Sequence, residues 1–165
     1  MKRLIKFLHT TSSLGLVGGL AAYIIVLWTA PEMTALSEYA AMRHSLMLVS
    51  KWLLVPSMIV CLVTGLLAMA VHYPYHEAPW VWDKALSGIL VFESTLGAID
   101  APAQRAAALT QRALGGEVSP AELAERMHDE WGALWIILGL AVANVALATW
   151  RPRFKRRREA GDAAR

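Results

Sequence analysis

Two histidines and one acid–base pair are the side chains of this 165-residue sequence whose types and positions could carry chemistry. His9 and His72 fall at the same end of two apolar runs, with His76 just beyond. Imidazoles facing one another across neighbouring helices can hold haem iron from both sides, provided small residues make room for the macrocycle. Ser13 shares a helix face with His9, and Gly15, Gly18 and Gly19 thin the same run. The expectation is haem b ligated by His9 and His72. His76 follows His72 by one helical turn, but Pro74 between them breaks the geometry that a metal-binding pair on one helix uses. His44 and His128 lie at the opposite end and read as interfacial imidazoles.

Lys51 and Glu93 form the second candidate. Glu93 lies near the middle of one apolar segment and Lys51 borders another, where an ionisable side chain costs about 2.5–3.5 kcal/mol even on insertion scales and is read as paired or functional. Lys51 follows His44 by seven residues and Glu93 precedes Asp100 by seven. Seven residues of helix are roughly 10 Å, so with His44 and Asp100 at one level the two charges share a depth. A buried Lys51–Glu93 ion pair is expected, serving either helix register or the handling of a proton or solute. In the alternative, Lys51 snorkels outward and Glu93 keeps a proton.

Other chemistries lack their patterns. No Cys/His cluster has structural-zinc spacing, no glycine-rich loop is placed to cradle phosphate, and no nucleophile-elbow motif occurs. Cys61 is the single cysteine and reads as a small apolar residue.

The elements that must position these side chains are four apolar segments: Leu8–Trp28, Trp52–Val71, Ala85–Ile99 and Trp131–Thr149. A bilayer core takes roughly 20 helical residues, fewer when flanking side chains snorkel. With 56% hydrophobic residues, the chain reads as an all-α polytopic membrane protein. The expected architecture is a single four-transmembrane-helix bundle over residues 1–150, followed by a basic tail, 151–165. Lys2, Arg3 and Lys6 precede the first span, and Arg151, Arg153, Lys155, Arg156, Arg157 and Arg158 follow the last. The positive-inside rule puts both ends in the cytoplasm, which requires an even number of crossings and makes the short third segment a span. The first segment is longer than a signal-peptide core and lacks an Ala-x-Ala exit, so it reads as a retained anchor. The arginines orient the chain against anionic lipid, and no nucleic-acid partner is expected.

Trp28, Trp80, Trp82, Trp131, Trp135 and Trp150 fall near the span ends, as a headgroup-level belt does. Pro56 should kink the second span and release the Trp52 carbonyl. Gly15, Gly19, Gly65, Ala68, Gly88, Gly139 and Ala143 supply close-approach points, and Asn144 reads as interhelical glue. The outer loops are Ala30–Met42 and Asp100–Glu130, and the inner loop is Tyr73–Asp83. Within the second outer loop a helix over Ala103–Leu114, stopped by Gly115-Gly116, and a capping box at Ser119-Pro120-Ala121-Glu122 predict a short extramembrane helical hairpin between helices 3 and 4. Its second arm is expected to run straight into the fourth span.

Leu4-Ile5-Lys6-Phe7-Leu8-His9, Gly18-Gly19, Ala41-Met42-Arg43-His44-Ser45-Leu46, Gly65-Leu66 and Trp82-Asp83-Lys84-Ala85-Leu86 together resemble an uncharacterised bacterial family of four-helix integral membrane proteins. That family is distantly similar to the haem-binding protoporphyrinogen oxidases of the HemJ type and to copper-resistance D proteins, and the resemblance extends to about residue 92. It implies functional roles for the helix-one histidine and for a lysine opening helix three, which fall on His9 and Lys84. Helix one departs from the oxidases in lacking the aromatic and arginine pattern after its glycines, and Glu93 interrupts a span that is apolar in them.

Three function classes follow for a protein of the bacterial cytoplasmic (inner) membrane. The first is a haem-b-binding redox or haem-handling bundle with His9, His72 and Lys84 around the cofactor, a membrane oxidoreductase if it is an enzyme. The second is an ion- or solute-handling protein using Lys51 and Glu93, and the third a non-catalytic accessory subunit. Its partners are the lipid bilayer and other membrane proteins or further copies of itself.

Overall fold

No proline occurs before Pro31, and the apolar run behind the basic N-terminus continues as one helix, α1, from Lys2 to Trp28. A computed structural model describes residues 2–71, 79–127 and 130–150, which contain no strand. The other helices are α2 (Leu36–Val49), α3 (Val55–Val71), α4 (Pro79–Thr95), α5 (Ala101–Leu114), α6 (Pro120–Arg126) and α7 (Trp131–Trp150). Lys84 belongs to α4. His72, His76, His128, the inner loop through Ala78 and the tail beyond Trp150 lie outside the described residues.

Two π-helical segments, Ser50–Leu54 and Leu96–Asp100, join α2 to α3 and α4 to α5. In each, the amide after the segment bonds five residues back, Val55 to Ser50 and Ala101 to Leu96. A proline follows immediately, Pro56 and Pro102. Proline has no N–H and its ring collides with the carbonyl four residues earlier, so widening the preceding turn accommodates it without ending the helix. At Pro56, where a kink was expected, the helix has a wide turn before the proline and continues, and Pro102 has the same device.

This changes the boundaries. Leu36–Val71 is one 36-residue helix, roughly 50 Å long and far longer than a bilayer core. The segment Ala30–Met42, expected to be a loop, is therefore helical from Leu36 onward, and α5 continues α4 where a separate helix was expected. The extensions α2 and α5 pack on one another beyond a ring in which α1 meets α3, α3 meets α4, α4 meets α7 and α7 meets α1. Leu20, Tyr23, Leu46, Leu54, Leu134 and Ile137 are buried in its core.

The chain reverses after α5 through Gly116, whose φ of 77° suits glycine, with the Glu117 amide bonded to the Arg112 carbonyl at 3.0 Å. Ser119 caps α6 by accepting from the Glu122 amide at 3.2 Å. The Glu122 side chain turns to Arg126, 2.7 Å away, so only half of the expected box forms. The second arm does not run into the last helix, because Met127 is extended (φ −75°, ψ 119°) and α7 starts at Trp131.

Among the described residues, three helical stretches are long and apolar enough to cross a membrane: Arg3–Trp28, Leu36–Val71 and a stretch of Pro120–Ala146 that includes α7. Large apolar side chains such as Phe7, Leu14, Ile25 and Ile136 face outward, more than 60% exposed. A water-soluble bundle would bury them, and the chain is built as a membrane protein.

Candidate functional site

Tyr23, Tyr39, Arg43 and Glu130 meet at the α5–α6 end of the bundle. Tyr39 and Arg43 are one turn apart on α2, on the same buried face as Leu46. The Arg43 Nε and Nη2 groups donate to the Tyr39 hydroxyl at 3.0 and 2.9 Å, and Nη1 donates to Glu130 Oε1 at 3.0 Å. Tyr23 comes from α1 and donates to Glu130 Oε2 at 2.8 Å. Three helices are tied to one carboxylate, because Glu130 immediately precedes α7, where its charge also meets the favourable end of the helix dipole.

The Arg43 and Glu130 side chains are only 7% and 5% exposed. Burying two charges is unfavourable unless geometry and further hydrogen bonds offset the lost hydration. Here both carboxylate oxygens and all three guanidinium nitrogens have partners. Beside the pair is an open depression of about 250 Å³, lined by Leu27, Met33, Ala124, Met127 and Trp131, with Arg43 and Glu130 at its polar edge. It is apolar on most sides and polar on one, and suits a small molecule with a polar head and a short apolar body.

At the opposite end, His9 packs between α1 and α3. Its Nδ1 lies 2.9 Å from the Cys61 carbonyl and 3.2 Å from Thr64 Oγ1. A carbonyl only accepts, so Nδ1 carries a proton. The hydroxyl of Ser13 donates to the His9 carbonyl at 2.7 Å, so the Cys61 thiol is the donor in their 3.2 Å contact. The space over Gly65 is taken by the His9 ring, since a Cβ there would lie 3.3 Å from Cε1.

The glycines of α1 do not form a cradle. A Cβ on Gly15 would lie 2.5 Å from Ser57 Oγ and one on Gly19 would lie 2.7 Å from Leu54 Cδ2, while Gly18 faces open space. The seam brings two helices together and leaves no room along it for a macrocycle. The residues that would complete a haem site there cannot be joined to His9, because His72 and the Lys84 side chain lie outside the described residues.

Lys51 and Glu93 do not form the expected pair. Both are exposed, neither bonds the other, and the Lys51 ammonium lies 5.8 Å from the centroid of the Trp52 ring. The cause is register. Ser50 donates to Asp100 Oδ1 at 2.8 Å, so the level of Asp100 on α2–α3 is Ser50 and not His44. Lys51 is one residue from that level and Glu93 seven, which separates them along the axis by about 9 Å. Asn144 does act between helices, accepting from Ser87 at 3.0 Å. His44 is exposed.

Sequence reasoning missed the Arg43–Glu130 centre because it ended the outer loop at Met42 and began the second span at Trp52. The available signal was the spacing of Tyr39, Arg43 and Leu46, which lies on one helical face once a helix starts at Leu36. In comparisons with known proteins the chain matches no protein-family model, no curated protein and no solved structure.

Proposed function

We propose that the chain is a four-span protein of a bacterial cytoplasmic membrane, with both termini in the cytoplasm and α5 and α6 outside, and that it binds a small amphipathic solute at the outer end. The fold is then of the second function class, with Arg43 and Glu130 in the place that Lys51 and Glu93 were expected to take. The observation that carries this is a nearly fully buried ion pair at the polar edge of an apolar depression. An ionisable pair held at the end of a membrane bundle is costly to bury, and its place beside an apolar depression supports binding over simple bracing.

Hexanoate, hexylamine and hexanol share one body and differ in head group, and each is small enough for the depression. Thermal unfolding of the protein in nanodiscs should show a stabilising shift with at least one of them. The shift should vanish when both charges are removed as Arg43→Gln with Glu130→Gln. No shift with any probe, or a shift that survives in the double variant, leaves the network a brace and moves the protein to the accessory class.

One observation favours a second reading. His9 donates Nδ1–H to a backbone carbonyl, which fixes the orientation of its ring at the inner mouth. Haem b at the inner mouth, with His72 and Lys84, would use it. Protein from haem-replete cells would then show a Soret band that is lost in His9→Ala.

A further inference from the structure

Glu93 is left without a role by the site just described. It lies in α4, exposed, and makes no hydrogen bond or ion pair among the described residues. The four-span reading, on which this inference rests, puts α4 in lipid and Glu93 roughly 10 Å inside the level of Asp100. Insertion scales penalise a lone carboxyl at that depth. Lys51 cannot relieve it from the same copy, and in a parallel second copy Lys51 sits at the same wrong depth.

The surroundings of Glu93 form a seam. Leu86, Leu90, Glu93 and Gly97 follow one another at four-three-four spacing, and all are exposed. Trp82 and Ile89 flank them, also exposed, whereas Val91 and Thr95 carry the buried side of the helix. Such spacing is that of a two-stranded helical contact, in which one polar residue within the seam fixes register. Gly97 has no heavy atom within 4 Å of an added Cβ, which leaves open space where a second backbone could approach.

A twofold axis sets a residue against its own copy. Few polar groups satisfy themselves in that arrangement, but a carboxylic acid carrying its proton both donates and accepts. We propose that this face of α4 is the contact of a parallel homodimer in which the two Glu93 carboxyls hydrogen-bond across the twofold axis. Leu86, Leu90 and Gly97 pack on their counterparts above and below it. Lipid covers the other outward faces, on which no described residue is a deep carboxyl.

The test uses Cys61→Ser protein, free of native cysteine, in membrane vesicles. Leu90→Cys and Gly97→Cys should form disulfide-linked dimers under mild oxidation, and Leu14→Cys on the exposed face of α1 should not. Energy transfer between labelled copies in liposomes should give a dissociation constant roughly three- to tenfold higher for Glu93→Leu. Glu93→Gln should retain the dimer, because an amide also donates and accepts. Equal dissociation constants for Glu93→Leu and the parent, or crosslinking from Leu14→Cys alone, overturn the proposal. A membrane-impermeant maleimide separates the two possible failures. If it labels the cysteines at 90 and 97, then α4 is not in lipid and the four-span reading fails with the dimer. If both are protected yet never crosslink, the dimer alone is wrong.

Discussion

The Ser50 hydroxyl donates to Asp100 Oδ1 at 2.8 Å, and this one bond levels two long helices whose π-helical segments lie side by side. Ser50 is fully buried, and Gln104 holds the other oxygen of Asp100 at 2.7 Å. The register so fixed keeps Lys51 and Glu93 apart.

Lys51→Met and Glu93→Gln should therefore add in a thermal double-mutant cycle, with a coupling within about 0.5 kcal/mol of zero. A coupling of about 2 kcal/mol or more, as between residues in contact, would mean that the helices slide by well over a turn from the register seen here.

The all-helical class, the Gly115-Gly116 stop and the Ser119 cap were legible because each depends on local chemistry: apolar runs, a left-handed glycine and an N-cap hydroxyl. Helix continuity across Pro56 and Pro102 was not, since a proline tells where the α-helical ladder fails but not whether a wider turn repairs it. Arg43 and Glu130 lie far apart in sequence, and their meeting follows from tertiary packing once α2 is known to be helical. His9 was legible as the polar residue at the end of helix one beside small residues, but its partners Cys61 and Thr64 required the α1–α3 register.

The glycines of α1 should respond unequally. Gly19→Val would drive side-chain atoms into Leu54, which is fully buried, and an overpacked core costs about 1–3 kcal/mol. Gly18→Ala meets nothing and should be neutral or stabilising by up to about 1 kcal/mol through helix propensity. Unfolding in detergent checks both, and equal tolerance at the two positions would show that α1 and α3 are not in close contact.

Four crossings require the two ends of the chain to share a side. Topology reporters after Arg165 and at Gly116 should report cytoplasm and periplasm respectively. Gly116 is an exposed turn residue, so the second insertion leaves α5 and α6 intact. A periplasmic signal after Arg165 would make the number of crossings odd and would remove α4 first, which is not among the described stretches long and apolar enough to span.

The Arg43–Glu130 pair yields the strongest stability prediction. Glu130→Gln leaves the guanidinium without its counter-charge in a site 7% exposed, and Arg43→Met leaves a carboxylate in the same position. Each should destabilise the protein by about 3–5 kcal/mol, the range for breaking a buried pair from one side. Tyr23→Phe removes one neutral donor from Glu130 Oε2 and should cost less, about 1–3 kcal/mol. Arg43→Met combined with Glu130→Leu removes both charges and substitutes apolar side chains, so it should recover most of the loss and can match the parent. Thermal unfolding in nanodiscs across the cycle measures the coupling directly. Single variants that lose under 1 kcal/mol, the worth of an exposed pair, would mean that water reaches the site and that the three helices are not held by Glu130.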